Sequence, residues 1–214
     1  MIERDYIMRM IQMLAQALSR ILFLKNQREY PEAIGEIQKA SKKILGIEVE
    51  VLRRLSDVQM IDLLSLDAGL GIPKCFAAGM LLKEEAEIVS GTKTPGESID
   101  IYKKALSLLT ESGIRNKGPF DPSHGKAIDD IAGVLKGGDV PVHTLKKLFC
   151  FYELARCYAK AADVLFEVIT KEPSFVEEGV RYCERLKQKP DEELGAGNCS
   201  RKAIEENLAA LRRG

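Results

Sequence analysis

Apolar side chains recur at three- and four-residue steps through almost the whole chain, and this period constrains the fold more than any other feature. It is clear near the N-terminus, at Ile7, Met10, Ile11, Leu14, Ala17, Leu18, Ile21 and Leu22. In an α-helix this spacing places the side chains along one face, whereas a half-buried strand alternates at every second residue. The pattern therefore predicts an amphipathic helix over about residues 5–25.

Eight further segments have the same period, and proline or glycine lies between most of them. They are 31–45, 73–89, 97–109, 124–135, 142–155, 159–170, 176–186 and 201–211. Proline suits the first turn of a helix, and glycine suits the residue after the last turn. Because the loops between the segments are short, neighbouring helices are expected to run antiparallel. The sequence thus predicts a single all-α domain, 1–214, built from antiparallel helical hairpins.

One segment fits two patterns. Residues 47–51 alternate like a strand, but they also begin a helical stripe formed by Ile47, Val51, Leu55 and Val58. Since the sequence offers no second strand to pair with, we predict a helix there.

The segment 142–175 resembles one unit of the tetratricopeptide repeat, a helix–turn–helix of about 34 residues. The matching positions are Leu145, Leu148, Tyr152, Tyr158, Ala161, Leu165, Val168 and Pro173. Arg156 lies in the turn where glycine is usual, and Phe149 lies where a small residue normally lets the helices approach. Weaker matches contain Arg28, Tyr30, Ala33, Ile37 and Ala40, and then Ser98, Tyr102 and Ala105. We predict tetratricopeptide-like stacking of the hairpins, with a generic helical bundle as the alternative.

Several longer motifs carry a resemblance that covers most of the chain. They are Asp5-Tyr6-Ile7-Met8-Arg9-Met10-Ile11, Phe151-Tyr152-Glu153, Tyr158-Ala159-Lys160-Ala161, Asp163-Val164-Leu165-Phe166-Glu167 and Tyr182-Cys183-Glu184-Arg185-Leu186. The chain is similar in these motifs to a family from Firmicutes-type bacteria that is defined only as a domain of unknown function. The resemblance implies a bacterial, cytoplasmic, tetratricopeptide-like helical protein, and it implies no activity or functional residue.

The balance of charge argues against nucleic acid as a partner, and the length of the uncharged stretches argues against a membrane. The chain carries 32 basic and 32 acidic residues, whereas nucleic-acid binding needs a basic surface that displaces phosphate counterions. The uncharged stretch 10–19 is well short of the ~20 apolar residues that span a membrane. Five cysteines at irregular spacings favour free thiols in a reducing cytosol. We therefore expect a cytoplasmic protein that binds neither nucleic acid nor membrane.

No motif for a metal, a cofactor or catalysis is found in the sequence. His143, Cys150 and Cys157 lie seven residues apart, which is about 10.5 Å along a helix and too far for one zinc ion. Adjacent acids such as Glu84 and Glu85 point about 100° apart on a helix, so we expect them on solvated faces. We accordingly predict a protein that is not an enzyme, with no cofactor and no metal.

The loop and helix start at 118–127 is the one candidate for a ligand site. It has six residues between its glycines, and Ala127 follows the lysine, so it fails the pattern of a phosphate loop. A helix N-terminus can nevertheless attract an anion. We therefore name Ser123, His124 and Lys126 as a speculative ligand or anion site, the alternative being an ordinary loop and helix start.

Two groups of apolar residues remain to be assigned. Seven of the thirteen Phe and Tyr residues lie between Phe149 and Tyr182, where we expect core rather than a ligand groove. Met8 and Met13 broaden the apolar surface of the first helix, so either the rest of the chain or a second copy must cover it. A homodimer is a candidate, through this helix or through the C-terminal one. The sequence as a whole predicts a module that binds another protein or peptide; the alternatives are a small-molecule or anion binder that uses residues 120–126, and a purely structural homo-oligomer.

Overall fold

The computed structural model describes residues 2–67, 69–92, 95–116 and 122–213, and within these ranges it is all-helical, without a strand. The predicted all-α class is therefore confirmed. The chain divides into two compact units, residues 1–139 and 140–214, and each is described here by itself. The expectation of a single domain over 1–214 stays a prediction.

The first unit contains seven helices over its described residues. They are α1 (Ile2–Asn26), α2 (Tyr30–Leu45), α3 (Val49–Arg54), α4 (Asp57–Leu64), α5 (Gly71–Thr92), α6 (Pro95–Arg115) and α7 (Pro122–Leu135). The central helix is α5, which packs against α1, α2, α4, α6 and α7. It approaches α6 closely at Gly79, where a Cβ would lie 2.7 Å from Cγ of Leu109.

The ambiguous segment 47–51 is helical from Val49 onward and is not a strand, but the predicted stripe is wrong. Ser56 separates α3 from α4 because its side chain accepts a hydrogen bond from the backbone of Gln59, and the Gln59 side chain accepts one from the backbone of Ser56. This reciprocal cap ends one helix and starts the next. Within α3 the buried residues are Val49 and Leu52, whereas Val51 is 41% exposed. In α4, after the break, Val58 is 65% exposed.

Over its described residues, 140–213, the second unit contains five α-helices and one 3₁₀ turn. They are α8 (Val142–Leu154), α9 (Tyr158–Lys171), the 3₁₀ turn (Pro173–Phe175), α10 (Val176–Lys187), α11 (Asp191–Ala196) and α12 (Arg201–Leu211). Five of the seven aromatic side chains between residues 149 and 182 are buried in its core, as expected, whereas Phe166 and Phe175 are only partly buried. Phe149 meets Tyr182 edge to face at 5.2 Å, and the Tyr182 hydroxyl donates to the backbone carbonyl of Tyr158 at 2.8 Å. A buried tyrosine needs such a partner for its hydroxyl.

The turns of two hairpins have the same backbone hydrogen bonds. Between α1 and α2, the Glu29 N–H donates to the Leu24 carbonyl and the Arg28 N–H donates to the Lys25 carbonyl, at 2.9 and 3.0 Å. Between α8 and α9, the donors are Cys157 and Arg156, the acceptors are Tyr152 and Glu153, and the distances are 2.8 and 3.1 Å. This pairing is typical of a helix end closed by one left-handed residue.

Candidate functional site

The three residues of the predicted ligand loop lie in the first turn of α7, in different environments. Ser123 and Lys126 are exposed, whereas the His124 side chain is buried in the first unit. Phe120 and Asp121, at the start of the predicted loop, lie outside the described residues. The imidazole is therefore separated from the surface that holds the hydroxyl and the ammonium group, and binding of an anion by these residues stays a prediction.

His124 is held by hydrogen bonds to the end of α6. Its Nε2 atom lies 2.9 Å from the carbonyl oxygen of Leu109 and 3.2 Å from Oγ of Ser112. Because a carbonyl oxygen only accepts, this pattern assigns the ring proton to Nε2. The imidazole ring also packs edge-on against the Phe76 ring, with 4.8 Å between the two ring centres. These contacts fix the imidazole at the wall of a cavity.

That cavity has a volume of about 240 Å³ and lies within the first unit. Its walls are mainly apolar side chains of α1 and α5, with a polar group of three residues at Ser112, Asn116 and His124. An apolar cavity with a few polar groups is the usual form of a small-molecule site. The sequence pointed to His124, but it did not reveal the cavity because its walls come from distant helices.

A buried network of charges joins α1 to α5, and the sequence analysis placed its acids wrongly. Glu84 and Glu85 are 5% and 3% exposed, so the expectation that they lie on a solvated face is wrong. The Lys25 Nζ atom lies 2.5 Å from Oε2 of Glu84. It also forms an ion pair with Glu87, and Lys83 forms a second ion pair with Glu87. Separately, the Arg53 Nη1 atom lies 3.4 Å from Oε1 of Glu85. The central helix α5 is enclosed on most sides, so its charged residues are buried and need partners.

The ion pairs shift two pKa values in opposite directions. Burial lowers the pKa of Lys25, but hydrogen bonds to Glu84 and Glu87 outweigh burial and raise it above the ordinary value of 10.5. Burial raises the pKa of Glu87, but hydrogen bonds from Lys25 and Lys83 outweigh burial and hold it below 4.5. Both groups are thus kept charged at neutral pH. Since each charge already has a partner, the role of these ion pairs is structural: they hold α1 against α5.

A wider cleft lies within the second unit, between α8 and α10. Its volume is about 500 Å³, and it is lined by Lys146, Phe149, Cys150, Glu153, Ser174, Phe175, Glu177, Glu178 and Arg181. Phe149 is buried at its floor, whereas Cys150 and Arg181 are exposed. The Lys146 ammonium lies 4.9 Å from the centre of the Phe175 ring and 2.8 Å from both carboxylate oxygens of Glu172. The cleft therefore combines an apolar floor with charged walls.

Helix α1 has apolar side chains on more than its buried side. Met10, Leu14, Ala17, Ile21 and Leu24 are buried. On other sides, Met8, Ile11, Leu22 and Phe23 are each about half exposed, at 52%, 48%, 47% and 51%. By length and composition, residues 5–26 could also cross a membrane, a criterion that buried helices and signal sequences meet as well.

The chain matches a family model over its whole length, residues 1–214. It belongs to DUF6483, a family of unknown function. No curated protein and no solved structure matches it. Membership in a family of unknown function, which the motifs indicated, is therefore confirmed; origin from a Firmicutes-type bacterium stays a prediction.

The thiols in this DUF6483 chain are free, and the surroundings of three of them disfavour the thiolate. Cys75 and Cys183 are buried, and Cys150 is exposed. Burial is the main cause that raises the pKa values of the Cys150, Cys183 and Cys199 thiols above 9.0. A reactive cysteine needs the opposite shift, since the thiolate is the nucleophile. Within the described ranges, no group of three or more His, Cys, Asp or Glu residues could hold a metal ion.

Proposed function

We propose that the protein is a non-catalytic, cytoplasmic module that binds another protein or peptide in the cleft between α8 and α10. The observation that carries this proposal is the cleft itself, about 500 Å³ in volume, with Phe149 and Phe175 in its lining and charges of both signs around them. Helical hairpins that stack side by side form concave surfaces of this kind.

The position of the cleft supports a tetratricopeptide-like arrangement in the second unit. In that arrangement the first helices of successive hairpins line one concave side. Helix α8 is the first helix of the segment 142–175, and α10 is the next helix after the hairpin formed by α8 and α9. Phe149 still departs from the tetratricopeptide pattern. Its large side chain lies in the lining of the cleft, at a repeat position where a small residue is usual.

The lining indicates the chemistry of the partner. Binding interfaces usually combine a buried apolar centre with a polar rim. Here the aromatic rings and Cys150 supply the centre, while two cations, Lys146 and Arg181, and three acids supply the rim. A peptide segment with one apolar side chain between polar residues of both signs matches this surface.

Substitution of Cys150 tests the proposal, because this exposed side chain lines the cleft. Cys150→Trp would fill the cleft without adding charge, and Cys150→Ala is the matched control that leaves it open. In affinity capture followed by mass spectrometry, we expect the same protein to be recovered with the unmodified chain and with Cys150→Ala, and to be lost with Cys150→Trp. Equal recovery with all three proteins, or no reproducible partner, would contradict the proposal.

The cavity next to His124 supports a second candidate function, the binding of a small apolar molecule with one polar group. A cavity of about 240 Å³ is larger than the ~150 Å³ that suffices for benzene in an engineered protein. Ser112 and Asn116 supply polar side chains beside the imidazole.

This second candidate is tested with phenol as the probe. Ligand-observed NMR should show binding to the unmodified chain, and Ala77→Met should abolish it because Ala77 is a buried lining residue. Ala210→Met, at an exposed position in the second unit, is the control and should bind as the unmodified chain does. If phenol does not bind, or if Ala77→Met binds it equally well, the cavity is not such a site.

A further inference from the structure

A second apolar stripe runs along α1 and is separate from the stripe that faces the core. It consists of Met8, Ile11, Ala15, Leu18 and Leu22, which we call the outer stripe. Its steps of three, four, three and four residues put all five side chains on one face. At about 100° per residue, this face is centred roughly 120° from the buried stripe. Met8, Ile11, Ala15 and Leu22 are exposed, and Leu18 is partly exposed.

We propose that the outer stripe binds the α1 helix of a second copy of this chain, with the two helices antiparallel. This proposal is independent of the cleft between α8 and α10. The spacing of the stripe is that of positions a and d in a coiled-coil seam, where a helix is the matching partner. A stripe with this spacing is self-complementary, so one surface serves both copies across a two-fold axis.

The sizes of the side chains favour a particular register. In an antiparallel pair, positions of type a lie opposite positions of type d, so Ala15 would face Leu18 of the second copy. Ile11 would then face Leu22 of the second copy, and Met8 would lie at the level of position 25 of the second copy. Small side chains opposite large ones fill the space between helices without a void.

Charge favours the same direction. In a parallel pair the two Ala15 side chains would lie opposite each other and leave a gap. The antiparallel pair also places the exposed Asp5 at the N-terminal end of α1 near the exposed Arg28, which follows the other α1. It also sets the two helix dipoles in opposition.

The area of the stripe sets the strength of the contact. Side chains that are about half exposed give the outer stripe roughly 400 Å² per copy, about half of the ~800 Å² of a standard interface. We therefore expect a reversible dimer that forms at micromolar concentrations and dissociates on dilution.

Sedimentation equilibrium of the full chain tests the association. We expect the mass to rise from 23.8 kDa toward twice that value as the concentration increases. Ile11→Lys with Leu22→Lys should weaken the dimer about 100-fold, because each copy then places two charges in the seam. Gln12→Lys with Gln16→Lys adds the same charges on an exposed polar side of α1 and should leave the dimer intact.

Circular dichroism would establish that both double variants remain helical, so that any loss of the dimer reflects the surface rather than unfolding. A chain that stays monomeric at several hundred micromolar, or equal weakening by both double variants, would overturn the proposal. So would a monomer that sediments with vesicles of phosphatidylcholine and phosphatidylglycerol, if Ile11→Lys with Leu22→Lys abolished that binding.

A photo-crosslinker at position 8 tests the direction. In a mixture of labelled and unlabelled chains, the antiparallel register predicts cross-links from position 8 to residues near Lys25 of the other copy. Cross-links to residues near position 8 of the other copy would show a parallel pair and overturn the register.

Discussion

Arg28 and Arg156 occupy equivalent positions in two hairpin turns, and both have left-handed backbones, with φ of 63° and 59°. Glycine adopts this conformation readily, whereas a residue with a Cβ is disfavoured in it by about 1–2 kcal/mol. The two turns also have the same pattern of backbone hydrogen bonds. The shared geometry shows that the hairpins α1–α2 and α8–α9 are closed in the same way, despite the arginine where the repeat pattern has glycine.

Replacement of Arg156 by glycine should stabilise the protein. We expect Arg156→Gly to raise the free energy of unfolding by about 0.5–1 kcal/mol, because the relief of the left-handed backbone exceeds the added entropy of the unfolded chain. The Arg156 side chain is 69% exposed, and its ion pair with Glu193 is 3.8 Å long, so little is lost with it. Urea unfolding monitored by circular dichroism measures the change.

The neighbouring residue supplies the control for this prediction. Ala155 has an ordinary φ of −76°, so Ala155→Gly gains no relief and should lower the stability by about 0.5–1 kcal/mol. Stabilisation by glycine at both positions, or at neither, would contradict the account of the turn.

Removal of the Lys25 charge should destabilise the first unit. Lys25→Met takes the ammonium group away from Glu84, whose side chain is only 6% exposed, and from Glu87. Leaving a buried carboxylate without this partner should cost about 2 kcal/mol, less than for a fully buried pair because Lys25 keeps some exposure. Lys39→Met is the matched control, since the Lys39 side chain is 80% exposed, and it should leave the unfolding free energy unchanged. Equal losses in urea unfolding would show that the buried pairs do not stabilise the fold.

The same network should make the stability depend on pH at both extremes. Glu87 has its pKa held below 4.5, so its contribution is complete above that pH and is lost as the pH falls through the lower folded value. Lys25 has its pKa raised above 10.5, so its contribution is complete below that pH and is lost as the pH rises through the higher folded value. Urea midpoints measured across pH should decline on both sides of a plateau. Glu87→Gln should reduce the acid-side slope, and an unchanged slope would contradict the assignment to Glu87.

The apolar period of the sequence was sufficient to predict the helical class and most of the helices. It works because the residues on the buried face of an amphipathic helix are apolar and recur every three or four positions, as Met10, Leu14 and Ile21 do in α1. It failed at Val51 because α3 begins at Val49 and buries Val49 and Leu52 instead. It failed at Val58 because the cap at Ser56 ends the first helical segment and starts a new helix. A reciprocal cap is a local signal, Ser followed by Gln three residues later, and its recognition would have predicted the break.

The candidate sites were less accessible to sequence reasoning. Burial of Glu84 and Glu85 depends on α5 being enclosed by other helices, and spacing within one helix does not contain that information. His124 was singled out as a residue, but its cavity needs Phe76 on α5 and Ser112 on α6 to come together. The sequence analysis assigned Ile11, Leu18 and Leu22 to the same face as the core residues of α1, and this was wrong. With Met8 they form the outer stripe, which becomes distinct only once the buried residues are known.

Gly197 provides a final test of packing in the second unit, where the end of α11 meets the turn between α8 and α9. A Cβ at this position would lie 2.6 Å from the carbonyl oxygen of Arg156 and would also overlap the ring of Tyr158. In addition, the Gly197 carbonyl accepts a hydrogen bond from the Ala159 N–H at 3.1 Å. Gly197→Ala should therefore lower the unfolding free energy by about 1–3 kcal/mol, since neither the backbone nor the ring can move without breaking contacts. Gly195→Ala is the control, because it meets only open space in α11 and should raise the stability by about 0.5–1 kcal/mol. Urea unfolding of the two variants gives the comparison, and equal effects in the same direction would show that the close approach at Gly197 is not a constraint on the fold.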